Sequence, residues 1–333
     1  MFIYMLKYKN IGIKDEKIIS ALQKNSRLPL SIISRKVGLL RETVYYRIVN
    51  LEKRGIIKKF ITFIDISKFD LEIYSVFLNL NTSSLEIRNK IFNEIKENPY
   101  VTWASVVGST FDIIFAIQAK NARQFKLVYS KISEKFKDYV QNEQFSQRIK
   151  LNIYPKYPYK LKTFEEDEYS LISDTKPAEI DELDRKILSV LIDDSRTNLV
   201  DIASKIKVPF TTIQSRIKRL EQKKIIQGYG ILLDYSKLGF DVSQVLLQTS
   251  SLSVEDTKKL KDFCKGNSNI IYNIETLANW SHELTIIVEN NLQLQEIINK
   301  IKELLNTKLK EIKIIPTFDY YFKFSSLGKF ALE

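Results

Sequence analysis

The sequence has little of the residue types that build disulfides, metal centres and catalytic dyads. Its 333 residues include a single cysteine, Cys264, and a single histidine, His282. An internal disulfide is therefore excluded, and no cysteine or histidine pair is present to hold a metal ion. Glycine-rich phosphate loops and nucleophile–base motifs are also missing. The sequence predicts no cofactor, no metal and no enzymatic activity.

Long hydrophobic runs are missing as well. No stretch approaches the roughly 18 consecutive apolar residues that indicate a membrane span. The opening segment, residues 1–9, is apolar in part but lacks a basic leading region and a small-residue cleavage site. Together with the lone cysteine, this predicts a cytoplasmic protein with no membrane partner. At 44% hydrophobic residues the chain has enough apolar surface for two or more folded domains.

What the sequence does contain is a duplication. Residues 15–69 and 184–238 align without gaps at an offset of 169, with about 20 identities over about 55 positions. Apolar residues match apolar residues throughout the alignment. The duplication therefore preserves a core and predicts two equivalent units on one chain.

The positive charge is concentrated in the repeated segments. Residues 15–60 hold 11 Lys and Arg against 4 Asp and Glu, and residues 184–229 hold 10 against 5. These two excesses, +7 and +5, together account for the net charge of the whole chain, +12. A localised positive field is typical of a surface that binds a polyanion. A lysine-rich surface that serves only solubility is the alternative.

Apolar spacing predicts three short helices in each copy. In the first copy their inward faces carry Ile18, Ile19 and Leu22, then Ile33 and Val37, then Val44, Ile48 and Leu51. Gly38 supplies a tight turn between the second and third helices. The pattern indicates a helix-turn-helix unit in each copy.

The motifs of the second copy are the more regular. It reads Asp184-Arg185-Lys186-Ile187-Leu188, then Arg216-Ile217-Lys218-Arg219-Leu220-Glu221, then Gly228-Tyr229. In these residues the chain resembles the leucine-responsive regulatory protein and asparagine synthase regulator (Lrp/AsnC) family of DNA-binding transcriptional regulators. The serine that usually caps the third helix is replaced by Leu40 and Pro209, and Lys207 stands at the place of Gly38. A cap one turn later, from Thr43, Thr211 or Thr212, is expected instead.

The segments after the helices predict a second kind of domain. Residues 72–155 alternate and space their apolar side chains as strand, helix, strand, strand, helix, strand, and residues 242–326 repeat that order. The resemblance implies a ferredoxin-like βαββαβ domain for effector binding and assembly. The expected fold class is α+β, with two winged-helix/helix-turn-helix domains each followed by a ferredoxin-like domain. The expected boundaries are 1–66 and 67–156 for the first pair, 157–180 for a linker, and 181–237 and 238–333 for the second pair.

The resemblance and the duplication together predict the partners. Single-copy relatives work as dimers on double-stranded DNA, so two linked copies are expected to pair within one chain as a pseudo-dimer. A higher homo-oligomer is compatible with the same surfaces. The polar second part of residues 157–180 suits a connecting linker.

Base-reading residues are expected early in each recognition helix, which enters the major groove. They are Arg41, Thr43, Tyr45 and Tyr46 in the first copy and Thr211, Thr212, Gln214 and Ser215 in the second. Because the two sets differ, the sequence predicts two unlike half-sites one or more helical turns apart. Packing of Tyr45 and Tyr46 against a neighbouring helix is the alternative.

Residues shared by both copies are expected to contact phosphates, since backbone geometry is the same at each half-site. They are Arg27, Lys36 and Arg47 in the first copy and Arg196, Lys205 and Arg216 in the second. For Arg47 and Arg216 the alternative is an ion pair within the helix, with Glu52 or Glu221, although a five-residue spacing is poor for it.

A small-molecule effector, such as an amino acid, is implied by the resemblance only. The family binds it near the turn between the second and third strands of the ferredoxin-like domain, which maps to Gly108, Ser109, Thr110 and Asp112. The spacing from glycine to aspartate is one residue longer than usual. A hairpin turn with no ligand explains these residues equally well.

Two other classes of protein fit parts of the sequence. Siroheme decarboxylases resemble the same two-part architecture, but their family relies on histidine and arginine around a tetrapyrrole and this chain has one histidine. A DNA-coating protein without sequence preference fits the charge as well as a specific regulator does.

Overall fold

The computed structural model describes residues 11–156, 168–173 and 176–322, and each copy begins with three helices. In the first copy these are α1 (Ile13–Lys24), α2 (Leu30–Val37) and α3 (Arg41–Lys53); in the second they are α6 (Glu182–Asp193), α7 (Leu199–Ile206) and α8 (Phe210–Gln222). The predicted inward residues, from Ile18 to Leu51, are buried. The helix-turn-helix prediction is confirmed in both copies.

The starts of α3 and α8 differ from the expected capping. Helix α3 begins at Arg41 after Leu40, and α8 begins at Phe210 after Pro209, and neither has a side-chain cap. The prediction that Thr43, Thr211 or Thr212 caps one turn later is wrong. Thr211 and Thr212 already lie inside α8, and the N–H groups of Thr212 and Ile213 donate to the carbonyl oxygen of Pro209, the residue before the helix.

A two-stranded ribbon joins the two helical units. Strand β1 (Ile57–Ile64) pairs antiparallel with β7 (Ile226–Leu233), and Ile61 lies opposite Gly230. These two positions differ by 169, the offset of the repeat, so a pseudo-two-fold axis passes between them. A Cβ on Gly230 would lie 2.8 Å from the ring of Phe63, which explains why the second copy has no side chain here.

Two βαββαβ units follow the helical units. The first is β2 (Glu72–Leu80), α4 (Leu85–Glu97), β3 (Val101–Val107), β4 (Ile113–Ala119), α5 (Ala122–Ser133) and β5 (Val140–Ile153). The second is β8 (Asp241–Thr249), α9 (Val254–Gly266), β9 (Ile270–Leu277), β10 (His282–Val288), α10 (Asn291–Leu305) and β11 (Leu309–Phe322). Each has the ferredoxin-like element order that the sequence predicted.

The last strand of each unit crosses to the other unit. Strand β5 is 14 residues long; its first part pairs with β2 and its last part with β9. Strand β11 does the same with β8 and then β3. Eight strands therefore close into a ring in the order β2-β4-β3-β11-β8-β10-β9-β5 and back to β2. Helix pairs α4/α5 and α9/α10 cover its outside with separate apolar cores.

Part of the predicted linker belongs to the fold. Strand β6 (Tyr169–Ile172) pairs with the end of β5, and the ring of Tyr169 stacks on Phe63 at 4.7 Å between centroids. The apolar side chains of this short segment pack against the fold. The sequence analysis missed this because most of the other residues in the range 157–180 are polar. The remaining parts of that range, residues 157–167 and 174–175, lie outside the described residues. In the described parts of the chain, none of the helices has the length and hydropathy of a membrane-spanning helix.

His282 begins β10 inside this structure. Its side chain is buried, Nδ1 lies 3.1 Å from the hydroxyl of Ser281, and desolvation lowers its pKa from the ordinary 6.5 to about 4. Above pH 6.5 both the folded and unfolded states hold a neutral ring, so its contribution to stability is fully present. As the pH falls, the unfolded state takes up a proton first, and folding is penalised.

We expect the free energy of unfolding to fall by about 2–3 kcal/mol between pH 7 and pH 4.5 through His282 alone. Urea unfolding of the wild type and of His282→Gln at both pH values measures it, because the difference between the two pH profiles removes the contribution of the carboxylates. Parallel profiles for the two proteins would show that His282 does not titrate as described.

Candidate nucleic-acid interface

The first recognition helix, α3, turns its polar and aromatic side chains outward. Val44, Ile48 and Leu51 fix the inward face, which leaves Arg41, Tyr45 and Tyr46 exposed and Thr43 half-buried. The tyrosine side chains are 52% and 70% exposed and meet edge to face, with 5.7 Å between ring centroids. Such exposure is too high for rings packed against a neighbouring helix.

The second recognition helix, α8, presents a smaller and more neutral surface. Thr211, Gln214 and Ser215 are exposed and Thr212 is half-buried, while the Ser215 hydroxyl donates to the Thr212 carbonyl oxygen at 2.9 Å. Phe210 is also exposed, at the position equivalent to Arg41. Sequence reasoning missed it; an apolar residue at the start of an otherwise polar helix face is the signal that identifies it. Apolar side chains at such positions suit thymine methyl groups.

Arg47 and Arg216 connect each recognition helix to the first helix of its own unit through ion pairs. Arg47 Nη1 lies 2.8 Å from Asp15 Oδ1, and Arg216 Nη1 lies 3.2 Å from Asp184 Oδ1. Arg216 also bonds Asp181, which holds the pKa of that carboxyl below its usual range. Arg47 and Arg216 therefore pair with residues of the first helix of their unit or, for Arg216, also with its N-cap residue Asp181. Neither arginine forms the alternative ion pair with Glu52 or Glu221 of its own recognition helix.

Arg27 and Arg196 occupy the interface between the two units. Arg27 donates to the carbonyl oxygens of Ser195 and Thr197, the latter at 3.0 Å, and Arg196 donates to the carbonyl oxygen of Ser26. Each guanidinium also lies 5.4 Å from an aromatic ring, Arg27 over Tyr229 and Arg196 over Phe60. Burial lowers the pKa of Arg196. These two side chains hold the units together, a role different from the phosphate contact that the sequence predicted.

Lys36 and Lys205 lie on the outside of the second helix in each unit. Both are exposed in its last turn and form no ion pair with any described residue. The chain then turns through a left-handed residue, Gly38 with φ +67° and Lys207 with φ +60°. Each lysine therefore stands beside the turn that leads into a recognition helix, with its charge available to solvent.

The turn from Gly108 to Asp112 is held by hydrogen bonds between side chains and the backbone. Asp112 Oδ2 accepts from the Leu80 backbone at 2.8 Å, and Asn79 donates to the Thr110 carbonyl oxygen. Ser109 has φ +75° and is exposed. A Cβ on Gly108 would lie 2.7 Å from the ring of Phe318, so strand β11 covers this side of the turn. The Asp112 carboxylate serves the fold here, and ligand binding at the turn stays a prediction.

The arrangement defines a class: a protein that displays two helix-turn-helix units related by an internal pseudo-two-fold axis. An AsnC-type helix-turn-helix domain model matches residues 13–52 and 180–221. The regulatory protein AsnC of Haemophilus influenzae is 31% identical over 148 residues, which is 40% of this chain and 97% of that protein. The chain belongs to the Lrp/AsnC family of transcriptional regulators.

Other similarities cover different shares of the molecule. An uncharacterised helix-turn-helix transcriptional regulator of Pyrococcus furiosus is 50% identical over 68 residues, which is 20% of this chain and 46% of that protein. The chain therefore spans about half the length of that relative. The solved siroheme decarboxylase NirDL aligns over 95% of this chain and 97% of its own, with a TM-score of 0.60 and 11% identity. That likeness shows the fold alone.

We expect Arg27→Met/Arg196→Met to lower the free energy of unfolding by about 2–4 kcal/mol, because carbonyl groups at the interface lose charged donors. Urea unfolding measures the loss. The control is Arg123→Met on the exposed face of α5, where a change below about 0.5 kcal/mol is expected. Equal stability of the double variant and the control would show that the interface does not depend on these guanidinium groups.

Proposed function

We propose that the protein is a sequence-specific regulator that places its two recognition helices in major grooves of one DNA duplex. The observation that supports the proposal is that one pseudo-two-fold axis relates two exposed recognition helices. Both helices belong to the units that hold the excess positive charge. A two-fold relation between the helices matches the two-fold symmetry of duplex DNA. Membership of the Lrp/AsnC family supports the same function.

The proposed target consists of two unlike half-sites. Arg41 suits bidentate contact with guanine, whereas Gln214 suits adenine, and Thr43, Thr211 and Thr212 suit thymine methyl groups. Tyr45 and Tyr46 correspond to Gln214 and Ser215 in the alignment of the copies, so the two surfaces differ in size as well as in hydrogen bonding. One chain then binds its site in a single orientation.

Phosphate contacts are assigned to Lys36 and Lys205. Their exposure and their place beside the turn support this, and we leave Arg27 and Arg196 out of the set. In this proposal Arg47 and Arg216 orient the recognition helices through ion pairs, Arg47 with Asp15 and Arg216 with the acidic residues at the start of α6.

The siroheme decarboxylase alternative has less support, and the DNA-coating alternative is separated by experiment. The siroheme decarboxylase family relies on histidine and arginine around a tetrapyrrole, but the single histidine, His282, is buried and is not among the residues that line the cavity between the ribbon and the strand ring. The cavity between the ribbon and the strand ring, about 150 Å³, is also smaller than the roughly 300 Å³ at which sites for drug-sized ligands begin. A DNA-coating protein without sequence preference is distinguished by competition, since unrelated DNA displaces it as well as specific DNA does.

We expect selection from random duplexes to return an asymmetric site. Arg41→Ala should relax base preference in one half-site and Gln214→Ala in the other, each by about 1–3 kcal/mol of discrimination. The matched control is Ser83→Ala, an exposed residue distant from both helices in sequence, which should leave the selected site unchanged. Recovery of a symmetric palindrome would contradict the proposal of unlike half-sites.

We expect the affinity for DNA to fall steeply with salt, and Lys36→Met/Lys205→Met to reduce the slope of log affinity against log salt by about 1.8, or about 0.9 for each lysine that is replaced. Fluorescence anisotropy between low and physiological salt measures the slope. The matched control is Arg123→Met/Lys131→Met on the exposed face of α5, which removes the same charge and should keep the slope. An equal loss of slope in both double variants would contradict the assignment of phosphate contacts to Lys36 and Lys205.

A further inference from the structure

A cavity of about 150 Å³ lies between the ribbon and the inner face of the strand ring. Ile61, Phe63 and Ile231 of the ribbon line one side, and Trp103, Arg148 and Ile274 of the ring line the other. Most of the lining is apolar, so one buried charge dominates the chemistry of this cavity. That charge belongs to Arg148 on β5.

Arg148 has hydrogen-bonding capacity that the described residues leave unused. Its side chain is only 9% exposed, and Nη2 lies 3.7 Å from Glu283 Oε2, beyond hydrogen-bond distance. Nε has no acceptor among the described residues. Glu283 Oε1 already accepts from Ser146 at 2.8 Å and from the Trp280 indole at 3.1 Å. The Arg148 guanidinium therefore lies over the Trp103 ring, 5.6 Å from its centroid, and near the Glu283 carboxylate, but no hydrogen bond joins it to Glu283.

The fold itself does not require this ion pair. At the repeat offset of 169, the equivalent of Arg148 is Thr317 and the equivalent of Glu283 is Ile114, and the same strand ring forms around them. Thr317 also lines the cavity, and its hydroxyl has no partner among the described residues. Burying a poorly bonded ion pair is costly in comparison with apolar residues of similar volume. A pair present in one copy only is better explained by a ligand than by stability.

We propose that the cavity binds a small carboxylate with a compact apolar body. The carboxylate accepts hydrogen bonds from Arg148, because the planar guanidinium matches two carboxylate oxygens. The body, aromatic or branched aliphatic, packs against the isoleucines and Trp103. A cavity of this volume in another protein holds benzene, which sets the size of the body. Because Arg148 occurs in one copy, one chain takes one ligand.

The cavity also touches the elements that position the recognition helices. Strands β1 and β7 line it, and they are the ribbon that joins the two helical units. A ligand that fits one placement of the ribbon better than another therefore changes the affinity for DNA. This second step rests on the proposed function, whereas the binding of the carboxylate does not.

Isothermal titration calorimetry of the full chain tests the binding. The probes are benzoate and 3-methylbutanoate, with benzamide as the neutral match and acetate as the charge without a body. We expect one site per chain for at least one of the two carboxylates, with benzamide and acetate at least tenfold weaker. Equal binding of benzoate and benzamide, or no binding of either carboxylate at millimolar concentration, would overturn the proposal.

Variants locate the site. Arg148→Met/Glu283→Gln removes both charges at similar volume and should abolish the preference for benzoate over benzamide. Thr317→Leu keeps the ion pair and fills the cavity, so it should weaken both carboxylates at least tenfold. The matched control, Arg123→Met on α5, should bind as the wild type does. Retention of the wild-type preference in the first variant, or of wild-type affinity in the second, would place the carboxylate elsewhere.

Anisotropy with labelled DNA separates the two steps. We expect the carboxylate that binds to change the DNA affinity of the wild type and of Arg123→Met, but not that of Arg148→Met/Glu283→Gln. Binding of the carboxylate without any change in DNA affinity would overturn the coupling alone. A chain that binds no DNA would overturn the proposed function, and the calorimetric result would still decide the fate of the cavity proposal.

Discussion

The structure depends on contacts that each copy makes with its own counterpart across the pseudo-two-fold axis. The hydroxyls of Ser26 and Ser195, equivalent residues, meet at 2.7 Å in a fully buried position. Beside them Arg27 and Arg196 reach opposite carbonyl groups. The Ser26 N–H donates to the Tyr229 carbonyl oxygen, as Ser195 does to Phe60. Because buried polar groups must be paired, loss of register at this point costs several hydrogen bonds at once.

Local periodicity accounts for the parts of the fold that the sequence predicted. The helices and the βαββαβ order each follow from side-chain spacing within about a dozen residues. Pairing between β5 and β9, and between β11 and β3, joins residues from different copies. Such pairing leaves no periodic signal in either strand, so the closed ring could not be predicted from spacing.

The candidate site shows a second limit of the sequence. The exposed face of α3 was predicted because an amphipathic helix must leave one side outward. Arg27 and Arg196 were assigned to phosphate because both copies carry them. Identity between copies has two physical causes, however: the same external partner at each half-site, or a contact between equivalent residues at the axis. Only the folded positions separate these causes.

Differences between the copies are therefore as informative as the identities. In a dimer of identical subunits, each recognition helix would carry Arg41 at this position. A buried Arg148 would likewise have a second buried Arg148 at the equivalent position across the axis. Covalent duplication removes that constraint, so Phe210 and Thr317 stand at those positions. The fold keeps two equivalent halves where the backbone must match, and its side chains differ on the recognition helices and in the cavity. The asymmetric DNA site and the single cavity ligand that we propose are partners of lower symmetry.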